Sequence, residues 1–264
     1  MIMSISKEEL GNLVTHYFKE LGINKRYLRK INHYLGQIEK EKEDKETTLH
    51  SERVCILSVE IAAANGKDPK MICPPALGHD IGKLTVDSYL LKKKNFTAKD
   101  NERMKPHVIN GVEIMRKIDP FYAAVILFHH YHKPNDSYPS GEEAEEWLVE
   151  LSLPESIKQM AKEYGILLAM GDVYDSMVTR DNNVYGGKVP PEETEPLMFE
   201  AFKDRNMNHK AILRMLYDQG IFGQNYKGFL RKLYVEHVEE KDKNILPIFA
   251  RSITLPPVSD QKHR

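Results

Sequence analysis

The chain has 264 residues, 41% hydrophobic and 29% charged, with 38 basic against 39 acidic side chains for a formal net charge of -1. That length allows one large domain or a domain with a smaller helical extension, and the apolar share suffices for a sizeable core. The near-zero charge excludes a global electrostatic pull toward polymeric nucleic acid or membrane.

Apolar residues recur mostly at three-and-four spacing, which predicts an all-α fold. Ser6 with Glu9 has the capping-box pattern and opens a helix with Leu10, Val14, Phe18 and Leu21 on its apolar side. A second helix is expected from about Asn24, with Leu28, Ile31, Leu35 and Ile38 on one face. The run EKEKEDKE (39–46) reads as a solvated helix face or linker. A third helix carries His50, Val54, Leu57 and Ile61 on one stripe. Pro74-Pro75 then starts a short segment that ends in GHDIGK (78–83). Thr97 with Asp100 suggests an N-terminal cap ahead of Met104, His107, Val108, Gly111, Val112 and Met115, and Pro106 interrupts this helix or resets its start. PFYAAVILFHH (120–130) predicts a strongly apolar helix ending in two histidines. Residues 155–180 predict another, with Ile157, Tyr164, Leu168, Asp172 and Asp175 near one face. Amphipathic helices are expected from NNVYGGKVPP (182–191) to about residue 236, and the tail NILPIFARSITLPPVSDQKHR (244–264) reads as irregular or weakly extended.

Two cysteines, Cys55 and Cys73, are too few for a disulfide scaffold or a zinc–thiolate cage and fit a reducing cytoplasm. No apolar h-region marks a signal peptide at the start and no apolar run is long enough to span a bilayer, so a cytoplasmic location is expected.

Six of the eleven histidines fall between His50 and His132. One imidazole in a core is ordinarily satisfied by a hydrogen bond. Random placement, however, rarely puts His50, His79-Asp80, His107, His129-His130 and Asp172 on the inner faces of successive helices. A buried imidazole or carboxylate is costly unless paired or coordinated. Imidazole plus carboxylate without thiolate suits iron, manganese or zinc, and an aspartate can bridge two ions. Such a pair would hold a hydroxide and polarise a phosphoryl oxygen together. In GHDIGK the flanking glycines allow close backbone approach, and Lys83, three beyond Asp80, can reach the same face to stabilise an anionic phosphate.

Read in order, these residues give H…HD…H…HH…D, which resembles the HD superfamily of metal-dependent phosphohydrolases. HSERV (50–54), HDIGKLTVDSYLLKKKNFT (79–97), MKPHVINGVEIM (104–115) and GDVYDSMVTR (171–180) are similar, at their spacings, to the HD-GYP branch, the cyclic di-GMP phosphodiesterases. The resemblance covers about residues 46–190. It implies an HD-type helical bundle over 46–190, an N-terminal helical extension over 1–45, and C-terminal helices and tail of the same domain over 191–264. It carries the metal ligands to His50, His79, Asp80, His107, His129, His130 and Asp172. Some members add a glutamate four residues before the first histidine, permitting a third ion. Glu46 holds that place here, and is otherwise one more charge in its run. Two or three divalent ions are implied, iron or manganese ahead of zinc, nickel or magnesium. Asp80 and Lys83 take catalytic roles, Lys83, Arg180 and Tyr138 substrate contacts, and Asp175 the task of orienting a ligand.

The family loop after the double histidine, HH-E-x-x-D-G-x-G-Y-P, reads HHYHKPNDSYP here. Tyr131, Pro134, Asn135 and Ser137 replace the glutamate, aspartate and two glycines, and only Tyr138 and Pro139 remain. The departure touches the substrate pocket, not the metal-holding half, and leaves His132 a solvated or substrate-edge role. The implied function is hydrolysis of a nucleotide-type phosphoester, a cyclic dinucleotide such as cyclic di-GMP first. The alternatives are a catalytically silent cyclic-dinucleotide-binding regulator or an HD-type di-iron oxygenase. The apolar stripe of the N-terminal helices needs cover, from the bundle or from a second copy in a homodimer.

Overall fold

A computed structural model describes residues 5–94, 96–131, 138–181, 187–203, 207–223 and 226–240; the expectations for His132, the altered loop positions 134, 135 and 137, and the tail lie outside them. Every regular element among these residues is helical. In chain order they are α1 (Lys7–Glu20), α2 (Lys25–Glu41), α3 (Lys45–Ala64), α4 (Cys73–Gly78), α5 (Ser88–Leu91), α6 (Ala98–Met104), α7 (His107–Met115), α8 (Pro120–Leu127), α9 (Gly141–Glu150), α10 (Glu155–Thr179), α11 (Thr194–Ala201), α12 (Met207–Asp218) and α13 (Tyr226–Tyr234). Short 3-10 turns cover Pro69–Met71, Ile81–Thr85 and Pro191–Glu193, and a π-helical turn covers Val235–Glu239. None of the described helices is long and apolar enough to cross a membrane.

Local chemistry sets the helix starts. Ser6 and Glu9 close the expected capping box, Asn24 Oδ1 accepts from Arg26 N–H to cap α2, and Thr97 with Asp100 makes a second capping box at α6. The charge run divides between the end of α2, a linker at 42–44 and the first residues of α3. Pro106 resets the helix and does not merely bend it: α6 stops at Met104 and α7 starts at His107. Helix α8 ends at Leu127, so His129 and His130 sit in the turn beyond it and not on the helix as the apolar run suggested. Helix α9, capped by the Ser140 hydroxyl, was not expected from the sequence; it buries Ala144 and Leu148 while five of its ten residues are Glu.

The core is assembled around α3, whose Val54, Cys55, Ile56, Leu57, Val59 and Ile61 are fully buried. Helices α4 and α10 pack on α3, and α8 packs on α4, α7 and α10. Helices α1 and α2 lie on the outside of α3, and Leu13, Tyr17, Phe18, Ile31 and Ile38 are buried within one chain, so a second copy is not needed to cover them. The two cysteines are buried free thiols with sulfurs 3.6 Å apart.

Two close backbone approaches bring the histidine-bearing segments together. A Cβ at Gly82 would stand 1.8 Å from the His107 carbonyl oxygen and 2.4 Å from the Gly111 nitrogen, so the Ile81–Thr85 turn can lie on α7 only with glycine there. A Cβ at Gly165 would stand 2.5 Å from the Cβ of Phe128, so α10 presses on the turn that presents His129. Backbone atoms cannot yield as a flexible side chain can, which makes both glycines structural requirements of the site.

Candidate metal centre

Three histidines share one local device. The Nδ1–H of His79 donates to Ala76 O at 2.8 Å, that of His107 to Met104 O at 2.7 Å, and that of His129 to Ile126 O at 2.6 Å. Each partner is the carbonyl three residues earlier, in the last turn of a helix. The bond fixes the tautomer and leaves Nε2 as a lone pair aimed into the bundle. His50 does the same with a side chain: its Nδ1–H donates to Asp175 Oδ2 at 2.7 Å.

The Nε2 atoms converge with carboxylates. His50 Nε2 is 2.9 Å from Asp172 Oδ1, 3.3 Å from His79 Nε2 and 3.8 Å from Asp80 Oδ2. His79 Nε2 is 3.5 Å from Asp80 Oδ2 and 3.7 Å from Asp172 Oδ1. On the other side of the same aspartate, His107 Nε2 is 3.4 Å from Asp80 Oδ1. Ligand atoms of His50, His79 and Asp80 form one group within 4.8 Å of each other, and those of His107, His129 and His130 form a second. Asp80 joins the two through its two oxygens.

This array fits divalent cations on its own chemistry. With the Nδ1 protons committed, the facing Nε2 and carboxylate atoms are all acceptors, and acceptors crowded in a dry site need a cation between them. The Nε2 atoms of His107 and His129 are buried with no hydrogen-bond partner. Burial holds the His107 imidazole down to about 4, against the pull of Asp80, and that of His129 down to about 3. Both are therefore neutral at pH 7, the form that ligates metal. Burial opposes ionisation of Asp80 and Asp172, but Lys83 and the surrounding histidines outweigh it at Asp80, and the His50 and His79 imidazoles beside it do so at Asp172. Both carboxyls stay well below the usual range.

Around this centre stand the other expected residues. Lys83 Nζ, buried, is 2.5 Å from Asp80 Oδ2, and Arg180, at the end of α10, approaches the same oxygen at 3.5 Å. His130 is half-buried, and Tyr138 stacks on its ring at 4.4 Å between centroids. Asp175 is fully buried, and its Oδ2 accepts from the His50 Nδ1–H. Glu46 is not gathered into either ligand group. Its carboxylate, 52% exposed, is 2.7 Å from Arg53 Nη2.

Arg53 and Tyr226 are the residues that sequence reasoning passed over. Arg53 donates from Nε to Asp175 Oδ1 at 2.8 Å and from Nη2 to Asp175 Oδ2 at 3.1 Å, and also reaches Thr179 Oγ1. The Tyr226 hydroxyl donates to Asp175 Oδ1 at 2.5 Å. Burial again opposes the charge of Asp175, and Arg53 followed by His50 overcomes it, holding the carboxyl below its ordinary value. A signal for Arg53 was present: it lies three residues after His50, on the inner side of α3. Nothing local marks Tyr226, which comes from α13.

No curated protein matches the chain. Residues 47–176 match the family model described as HD domain, a span that contains His50, His79, Asp80, His107, His129, His130 and Asp172. HD domains are in general metal-dependent phosphohydrolases, and the paired His/Asp groups could hold the metal that such chemistry uses. By this match and by its all-α architecture, the helical core over residues 47–176 is an HD domain, of the HD superfamily.

Proposed function

We propose that the protein is a metal-dependent phosphohydrolase that cleaves a nucleotide-type phosphodiester, a cyclic dinucleotide such as cyclic di-GMP first among the candidates, with two divalent ions, iron or manganese. The observation that carries the reading is the pair of three-ligand groups joined by the two oxygens of Asp80. When bound, two such ions would supply Lewis acidity toward the phosphoryl oxygens and activate a water as the nucleophile. His50, His79, Asp80 and Asp172 would hold one ion, and Asp80, His107, His129 and His130 the other.

The chain's own groups do the positioning. The Ala76, Met104 and Ile126 carbonyls and the Asp175 carboxylate hold four imidazoles with Nε2 presented, so no reorientation is needed on binding. Lys83 and Arg180 place two positive charges at Asp80 Oδ2, where they favour an anionic phosphate and the charge that develops on it. Tyr138, stacked on His130 and with Lys105 Nζ 5.7 Å from its ring centroid, borders the second group where a base or sugar would lie.

The altered loop supports a second reading, a regulator that binds a cyclic dinucleotide without turnover, because the ligand set is complete while Tyr131, Pro134, Asn135 and Ser137 replace the pattern expected around the substrate. One screen separates the two. Purified protein loaded with iron, manganese or zinc is incubated with cyclic di-GMP, mixed cyclic dinucleotides, linear dinucleotides and a chromogenic phosphodiester, beside Asp80→Ala. Metal-dependent product formation that Asp80→Ala abolishes is the expected result. Tight binding without product establishes the regulator, and equal cleavage by Asp80→Ala sinks the hydrolase.

A further inference from the structure

Away from the metal centre, α2 and the turn between α7 and α8 enclose a groove of about 360 Å³ lined by Arg26, Arg29, Lys30, Tyr34, Lys117 and Ile118, with His33 at its side. Lys117 and Ile118 follow the C-terminus of α7 whereas His107 opens its N-terminus, roughly 12 Å of helical rise away. The groove is thus distinct from the Asp80 centre.

Its charge is unusual for this chain. The protein as a whole has one more acidic than basic side chain, yet no acidic residue lines the groove. Neighbouring cations are neutralised: Arg116 pairs with Glu113 and Glu150, and Lys7 with Glu39. Among the described residues, Arg26, Arg29, Lys30 and Lys117 have no such ion pair. Lys30 Nζ is 3.4 Å from the Lys117 carbonyl oxygen, which draws the two walls together. The nearby Asp119 is committed elsewhere, accepting from the Phe121 and Tyr122 N–H groups and from the Tyr27 hydroxyl. Helix α2 also starts against its own dipole. Its first turn holds Lys25 and Arg26 and no acid, whereas α1, α6 and α9 place Glu8 and Glu9, Asp100, and Glu142 and Glu143 there. Positive charges gathered from two segments into a concave site, with no ion pair of their own among the described residues, are complementary to an external anion. The half-buried Tyr34 ring and Ile118 add an apolar wall beside them.

We propose that this groove binds a ligand carrying a di- or triphosphate chain, with the phosphates on Arg26, Arg29, Lys30 and Lys117 and, in a nucleotide, the base against Tyr34. The volume lies in the range of small-ligand sites, and guanidinium pairs suit phosphate oxygens. This inference does not depend on the hydrolase reading, and it is tested with metal chelated.

The full chain in EDTA is titrated calorimetrically with ATP, GTP and inorganic tripolyphosphate. Saturable one-to-one binding is expected. It should weaken at least about tenfold in Arg26→Ala/Arg29→Ala/Lys117→Ala and stay within about twofold in the control Lys210→Ala/Lys227→Ala, which removes two exposed cations elsewhere. Tyr34→Ala should weaken the nucleotides alone. Weakening of neither assigns the site to the phosphate chain, as for inorganic polyphosphate. If the triple variant is not folded by circular dichroism, Arg29→Gln replaces it, with a loss of about threefold expected. The proposal is overturned by no saturable binding up to about 5 mM, by a groove variant that binds like the wild type, or by a control that loses as much as the groove variant.

Discussion

Arg53→Met isolates the support beneath the metal centre. Asp175 is fully buried and Arg53 is 11% exposed at its side chain, so their two hydrogen bonds, at 2.8 and 3.1 Å, form in a largely dry environment. Removing one partner of a buried pair costs about 3–5 kcal/mol, because the remaining charge loses its compensation. Asp175 keeps the Tyr226 hydroxyl at 2.5 Å and His50 at 2.7 Å, which places the cost at the low end, about 3 kcal/mol. With a urea m-value of about 3 kcal/mol/M, the midpoint by far-UV circular dichroism should fall by about 1 M. Arg103→Met, at an exposed pair 3.6 Å from Asp87, should change stability by less than about 0.5 kcal/mol. The pH dependence follows from the depressed Asp175 carboxyl. A folded value below the ordinary 3.8 stabilises the native state above that pH, and this contribution is lost as pH falls below it. Arg53→Met has less depression to lose, so the gap between variant and wild type should narrow below about pH 4. A variant midpoint within about 0.2 M of wild type at pH 7 would refute the buried-pair reasoning.

Tyr226→Phe removes one charge-assisted hydrogen bond to Asp175, and thermal or urea unfolding should show a loss of about 2 kcal/mol with helix content unchanged. Gly82→Ala forces the Ile81–Thr85 turn off α7; metal per chain, read by plasma mass spectrometry, should drop while the far-UV spectrum persists. Glu60 is buried, which raises its carboxyl to about 7 although the Tyr17 hydroxyl at 2.6 Å favours the charge. Between 4.5 and about 7 the unfolded chain ionises this group while the folded chain does not, so it costs stability as pH rises through that window. Glu60→Gln should therefore gain stability relative to wild type at pH 8, by up to about 3 kcal/mol, and not at pH 4.5. Parallel urea curves at the two pH values test this.

The clustering of His50 with His79-Asp80 was legible because these residues announce themselves twice, by type and by position. His50 shares its stripe with Val54 and Leu57, and His79-Asp80 is bracketed by Gly78 and Gly82, of which Gly82 makes the closest backbone approach in the site. Capping chemistry at Ser6, Asn24 and Thr97 fixed helix starts for the same local reason. What was not legible depends on distant partners. His129 and His130 stand in a turn because α8 ends at Leu127 and Gly165 of α10 receives Phe128. Glu46 faces Arg53, whose position is set by Asp175 from 122 residues away. Helix α9 buries only Ala144 and Leu148 under a polar surface, too weak an apolar period to be seen. Tyr226 is recruited by α13 packing, which no short window of sequence contains.

The most direct test counts ions. Protein loaded with manganese and then desalted is analysed by plasma mass spectrometry against amino-acid quantitation, beside His79→Ala and His129→Ala. Two ions per chain are expected in the wild type, since six ligand atoms form two groups joined by Asp80 and Glu46 is engaged by Arg53, and fewer in each variant. A wild-type chain that retains none or one, or variants that retain the full complement, would contradict the two-ion centre.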